Sequence, residues 1–249
     1  MADSVKNELV ALQETIYTSR NPTRRWLHVT RKEWVEAVIA ELGGDGAALE
    51  VGPGSGVYLP ALLEAFATVT ATDVERAHLE HLEPRFPDVR FVEGDITRPA
   101  EGEGPFDLIL CSEVVEHIPD SGAALRGMAR LLRPGGVLIL STPQRYSPLE
   151  ITSKVAFLPG IVQLVRAVYR EPVLKQGHIN LMTRRTVRRQ LAEAGFRIER
   201  EFLSGVYLPF VAEFGGSAGL ALARRMEQAL RGSPFAWLLW TQYYIAIRD

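Results

Sequence analysis

Gly52-Pro53-Gly54-Ser55-Gly56 follows an apolar run, and an acid, Glu50, stands two residues before the first glycine. Glycine takes positive φ freely and lets a ligand approach where a Cβ would otherwise stand. A glycine-rich turn between a strand and a helix is where open α/β sheets hold nucleotides. The spacing here is G-x-G-x-G. A dinucleotide loop reads G-x-G-x-x-G, which would require glycine where this chain has Val57. Glu50 would repel a pyrophosphate and suit a cation.

Three further strand-like runs end in polar groups. "TATD" ends at Asp73, 19 residues after Gly54, where a carboxylate accepts from both ribose hydroxyls. "FVEGD" ends at Asp95, placed to accept from an adenine amino group. "FDLILCSE" ends at Ser112 and Glu113. A phosphate-bearing cofactor would want donors at these positions. S-adenosylmethionine has a ribose, an adenine, an ammonium and a sulfonium, and no phosphate. The pattern therefore points to a methyl-donor site.

Alternating elements must carry these groups. Apolar runs "AALEV", "TVTATD", "VRFVEGD", "FDLILCS" and "GVLILST" alternate with helical runs "GVYLPALLEAF", "AHLEHLEPRF" and "GAALRGMARLL". Such alternation predicts βαβ units and a parallel sheet covered on both faces. "FRIEREFL" and "WTQYYIAI" supply a sixth and a seventh strand. Thr183 is expected to cap a helix that Gly195 ends. An amphipathic helix is expected from Val5 to Tyr17, a break at Asn21–Thr23, and a second helix from Lys32 to Leu42.

In order and spacing, "LEVGPGSG", "ATDVE", "FVEGDI", "FDLILCSEVVEHIPD" and "LLRPGGVLILSTP" resemble the successive motifs of the class I S-adenosylmethionine-dependent methyltransferases. The resemblance covers Leu49 to Pro143 and is strongest toward the small-molecule branch with the ubiquinone-pathway O-methyltransferases. It implies a Rossmann-like seven-stranded α/β sheet in the order 3-2-1-4-5-7-6, with the last strand antiparallel. It further implies that Glu50 and Gly52 to Gly56, with Pro53 and Ser55, meet the methionine end, that Asp73 and the adjoining Val74 meet the ribose side, and that Asp95 and Ile96 meet the adenine. Ser112 and Glu113 complete that set. Pro53 departs from the pattern by removing a backbone donor, a loss that matters less to a nucleoside than to a phosphate. In this family the segment with Tyr17 and Arg25 folds over the pocket edge, where either residue would reach the methionine carboxylate or the acceptor.

One methyltransferase domain is expected over residues 1–249. Residues 1–42 would form an N-terminal cap, 43–146 the cofactor core, 147–182 an acceptor-side insert, and 183–249 the rest of the sheet. A base is needed only if the acceptor must lose a proton. His117 and His178 are the candidates, since they alone among the five histidines fall on acceptor-side loops. For Glu116 the expectation is a solvated helix face, and no metal-ligating set stands out. Within 155–175, Leu158, Ile161, Val162, Val165 and Tyr169 recur at helical spacing among bases. That stripe suggests a largely apolar acceptor and a peripheral contact with a membrane surface.

Composition narrows the rest. The chain is 47% apolar and 23% charged with a net charge of −2, as expected of a globular domain with a sizeable core. Between Asp73 and Asp120 there are 13 acids and 4 bases; between Lys154 and Arg189 there are 8 bases and 1 acid. The lone cysteine, Cys111, lies in an apolar run and reads as a buried strand residue, which fits a reducing, cytoplasmic setting. The N-terminus lacks the pattern of a secretory signal. The competing readings are an NAD-dependent oxidoreductase, disfavoured by the loop spacing and Glu50, and a non-catalytic nucleotide-binding or nucleic-acid-binding protein. Against nucleic acid, "SEVVEH" replaces the aromatic-proline tetrad of base methyltransferases, and Arg184, Arg185, Arg188 and Arg189 come without an aromatic platform.

Overall fold

The computed structural model describes residues 16–156 and 178–249. After a 3-10 turn at Ile16–Thr18, helix α1 runs from Pro22 to Leu42. The sequence had suggested a break at Asn21–Thr23 and a start at Lys32. The helix begins earlier because Asn21 caps it: its Oδ1 accepts from the Thr23 and Arg24 amides at 3.0 and 3.1 Å. Pro22 at the first position is already in helical φ.

The strands are β1 (Gly44–Val51), β2 (Phe66–Asp73), β3 (Val89–Glu93), β4 (Phe106–Ser112), β5 (Leu132–Pro143), β6 (Phe196–Ser204) and β7 (Thr241–Arg248). They form one sheet in the order β3-β2-β1-β4-β5-β7-β6. Strands β1 to β5 pair in parallel, and β7 runs antiparallel to both of its neighbours. This is the topology the motifs implied. The helices after α1 are α2 (Leu59–Ala65), α3 (Arg76–Leu79), α4 (Ser121–Leu131), α5 (Pro148–Ala156), α6 (Arg184–Glu193), α7 (Pro209–Phe214) and α8 (Gly216–Arg231). The run from Ala77 to Phe86 had read as a longer helix. Only the turn α3 forms, in a segment where Pro84 lacks an amide donor. Thr183 caps α6 as expected, accepting from the Thr186 amide. Helices α7 and α8 had no counterpart in the sequence reading.

Side-chain alternation divides the core between the two faces of the sheet. Ala48, Leu108, Leu110, Ile139 and Ile245 pack against Val35, Val38 and Ile39 of α1 and Leu59 and Leu62 of α2. Leu49, Ile109, Cys111, Leu138 and Leu140 pack against Leu125 and Met128 of α4 and Val187 and Leu191 of α6. A third cluster, of Leu27, Tyr207, Ala212 and Trp240, sits under the first turns of α1. Cys111 is fully buried in β4, where burial raises its thiol well above the ordinary range. Among the described residues no helix is long and apolar enough to cross a membrane. The expected helices at Val5–Tyr17 and around Leu158–Tyr169 lie outside the described residues, apart from the turn at Ile16–Thr18.

Candidate active site

The carboxyl ends of β1, β2, β3 and β4 converge on one rim. Between β1 and α2, Gly52, Gly54 and Gly56 have φ of 66°, 54° and 75°, a region side chains avoid. A Cβ on Gly52 would stand 2.7 Å from Val114 Cγ2, so packing demands glycine there as well. The Gly52 amide is tied to the Thr72 carbonyl at 2.8 Å, which holds the loop against the end of β2. Pro53 and Ser55 are buried beneath it, and the Ser55 carbonyl accepts from Arg85.

Glu50 is buried, and its Oε2 makes no hydrogen bond. Burial alone pushes its carboxyl up to about 8. A buried carboxyl without a partner is costly and is the pattern of a group waiting for a cation. Across the loop, buried Arg31 of α1 pairs with Glu113 Oε2 at 2.9 Å and donates to His28 Nδ1 at 3.2 Å. Its Nε is buried and unpartnered. Burial, reinforced by Arg31 and Arg24, keeps the His28 imidazole well below its ordinary value, hence neutral. Glu113 is the one non-glycine residue at positive φ (58°) among those described. Such a backbone costs on the order of 1–3 kcal/mol and persists where its surroundings fix it. Here the fixing groups are the Ser141 carbonyl, which accepts from the Glu113 amide, and the Ser141 hydroxyl, which donates to Glu113 Oε1 at 3.1 Å. Ser112 Oγ meets the same Ser141 hydroxyl at 2.9 Å.

The nucleoside end is built from local turns. Asp73 Oδ1 accepts from the Glu75 amide at 2.9 Å and faces His78 Nδ1 at 3.1 Å. Asp95 is exposed; Thr97 donates to its Oδ1 through hydroxyl and amide, at 2.7 and 2.9 Å, and holds it below the usual carboxylate range. Val74 is exposed beside Asp73, and Ile96 is buried under the loop.

The second half of the rim lies past β4. His117 and His178 come together edge to face, with ring centroids 5.2 Å apart. Glu116 between them and the sheet is fully buried, which overturns the solvated helix face expected for it. The cause is the loop at 179–180, whose two amides both donate to the Glu116 carbonyl and cover the turn. Thr142 donates to Glu116 Oε2, while Oε1 is unpartnered. Burial, then Glu113, holds this carboxyl well above its usual range. Glu116, His117 and His178 bring one nitrogen or oxygen each to within 4.8 Å of one another. Such a group can relay protons or offer three ligands to a cation.

Of the residues selected from sequence, the structure brings Glu50, the glycine loop, Ser112 and Glu113 to one place, Asp73, Val74, Asp95 and Ile96 to the adjoining rim, and His117 and His178 to the other side. Tyr17 leans edge-on against His28 at 6.2 Å. Arg25 is exposed on α1. The sequence reading missed Arg31 and Glu150. Arg31 left a signal, a charge in the buried stripe Leu27, Val35, Val38, Ile39 of α1. Glu150 left none.

A family model described as a methyltransferase domain matches residues 24–201. The chain belongs to that methyltransferase family. Its motifs are those of the class I S-adenosylmethionine-dependent members. The chain is 36% identical over 122 residues to a ubiquinone biosynthesis O-methyltransferase of Paracidovorax citrulli (strain AAC00-1), a match covering 46% of this chain and 50% of the relative. It thus spans about half the length of the curated relatives it matches. Its fold aligns with the N-methyltransferase NodS from Bradyrhizobium japonicum WM9 in complex with S-adenosyl-l-homocysteine, at a TM-score of 0.60 and 16% identity, over 99% of this chain and 97% of that one. It also aligns with the [4+2]-cyclase SpnF, at a TM-score of 0.56 and 18% identity, over 87% and 80%. At such identities the likeness is one of fold. A cyclase on the same scaffold shows that the fold leaves the reaction open, so the reaction has to be argued from the site.

Proposed function

We propose that this methyltransferase transfers a methyl group from S-adenosylmethionine to a hydroxyl of a small, largely apolar acceptor. The observation that carries the reading is the unpartnered, buried carboxyl of Glu50 beside a loop of three left-handed glycines. A cationic ligand without phosphate satisfies that carboxyl; a dinucleotide would not.

The bound donor would supply an electrophilic methyl carbon on a sulfonium. Glu50 would hold its ammonium and Arg31, through the free Nε, its carboxylate, with Tyr17 at the edge. Arg31 takes the contact first given to Arg25 because Arg31 is buried on the site side of α1 and Arg25 is exposed. Asp73 keeps Oδ2 for the ribose hydroxyls, since Oδ1 is engaged in its own turn. Asp95 and Ile96 would frame the adenine. Residues 1–42 then serve as the cap, 147–182 as the acceptor-side insert.

His117 and His178, brought together edge to face past the end of β4, would take the proton that a hydroxyl acceptor gives up. The apolar character of the acceptor is supported by Tyr146, Ile151 and Ile179, which are exposed in the same segments that carry Glu150 and His178. The stripe from Leu158 to Tyr169, and with it almost all of the membrane contact suggested for 155–175, lies outside the described residues.

Calorimetry with S-adenosylhomocysteine tests the assignment. A carboxyl raised above its unfolded value stabilises the fold most at low pH, and that contribution fades as pH climbs from the ordinary carboxylate range to about 8. Glu50→Gln should therefore stabilise the free protein increasingly across that window. At pH 7 the wild type should release a proton on binding, read from the dependence of the enthalpy on buffer, and Glu50→Gln should not. NADH should give no heat. Proton-neutral binding in the wild type together with full affinity in Glu50→Gln would remove Glu50 from the site.

A further inference from the structure

The His178 side chain, about one-tenth exposed, faces a second buried acid. Its Nδ1 lies 3.2 Å from Glu150 Oε2. The other oxygen of that carboxylate, Oε1, accepts from the indole Nε1 of Trp240 at 3.1 Å. Glu150 and Trp240 are both buried. The Glu150 amide is in turn held by Ser147 Oγ, and Glu150 sits in the first turn of α5, so the carboxylate is fixed from both ends.

We propose that Glu150 is the positioning residue of His178: it keeps the proton of the neutral ring on Nδ1 and the lone pair on Nε2. This rests on the reading of the site as a methyltransferase acceptor pocket. There, Nε2 takes the hydroxyl proton as the new O–C bond forms and the C–S bond breaks. The acceptor leaves as a methyl ether, the donor as a thioether, and His178 as an imidazolium that returns its proton to solvent. The assignment follows from donor counting. An ionised carboxylate only accepts, an indole N–H only donates, and a neutral imidazole carries one donor and one acceptor. With Trp240 on Oε1, the remaining oxygen can be satisfied at Nδ1 only by a proton on Nδ1. A wrong tautomer alone can cost a histidine-dependent enzyme several orders of magnitude in rate.

The same counting makes a test that does not depend on turnover. In Glu150→Gln the amide has one oxygen and one NH2. Trp240 can only donate, so it claims the oxygen, and the NH2 is turned toward His178. Nδ1 must then accept, and the ring proton moves to Nε2. Nitrogen-15 NMR of the histidine-labelled full chain, with His178 assigned from the spectrum of His178→Gln and at a pH that leaves the ring neutral, reads this directly. The expected result is a dominant Nδ1–H form in the wild type, a dominant Nε2–H form in Glu150→Gln, and return of the Nδ1–H form in Glu150→Gln/Trp240→Phe, where the amide is free to turn round. A wild-type ring protonated on Nε2, an unchanged tautomer in Glu150→Gln, or no return in the double variant would overturn the proposal. If Glu150→Gln does not fold by circular dichroism, the wild-type spectrum alone decides. Failure of the methyltransferase reading would appear separately, as absent S-adenosylhomocysteine binding with the tautomer as expected.

Discussion

The two sides of the rim are built on different principles. On the nucleoside side, Asp73 and Asp95 are each held by residues two to five positions away in their own turns. They stay partly or wholly in solvent. At the methionine and acceptor end the acids are shielded, Glu150 fully and Glu113 in part, and their partners come from far along the chain: Arg31 reaches Glu113, Trp240 reaches Glu150 and His178 reaches Glu150. Local turns can be altered singly with little effect on the fold. Buried pairs cannot, because removing one member leaves the other as an uncompensated charge.

Three substitutions probe that contrast. Arg31→Met should be the most damaging, costing about 3–5 kcal/mol of stability, because it leaves the partly buried Glu113 without its cation. Urea denaturation would measure it, and Arg31→Met/Glu113→Gln should recover most of the loss; a single-variant cost below about 1 kcal/mol would place this pair among ordinary surface ion pairs. Asp73→Ala should leave the denaturation midpoint in place and weaken S-adenosylhomocysteine by about 1.5–3 kcal/mol, the worth of hydrogen bonds to a charged group. A matching fall in stability would mean that the nucleoside side is as interlocked as the other. Smallest of all, Thr97→Val removes one of two donors to Asp95 and should cost about 0.5–1.5 kcal/mol in binding, with no change in fold.

The same contrast explains what could be read from the sequence. The turns that carry the glycine loop, Asp73 and Asp95 are legible because each is a short consecutive stretch at a strand end whose geometry is set locally. The sheet order was implied by the family resemblance that the motifs carry, and the strands pair in that order. Arg31 was legible only as an anomaly, a charge where the stripe of α1 calls for an apolar residue. Glu116 was misread since its burial depends on residues 179–180, more than sixty positions later. Glu150 gave no local sign: its role exists only once Trp240 and His178 are beside it. Helices α7 and α8 were missed in a segment read only for its apolar and aromatic content.

Strand β7 has a consequence for how the molecule comes into being. It is synthesised after every other strand, yet it lies between β5 and β6 and pairs with both. Trp240 immediately precedes it, with its backbone bonded to Gly205 and Gln144 and its indole to Glu150. During translation β1 to β4 can pair while β5 and β6 still wait for the strand that joins them. The donor side of the rim is therefore complete early, and the acceptor side only when the last strand slots in. A nascent chain that stalls before Trp240 would carry a ligand cradle with no reaction chamber, and two open strand edges for chaperones and proteases to find.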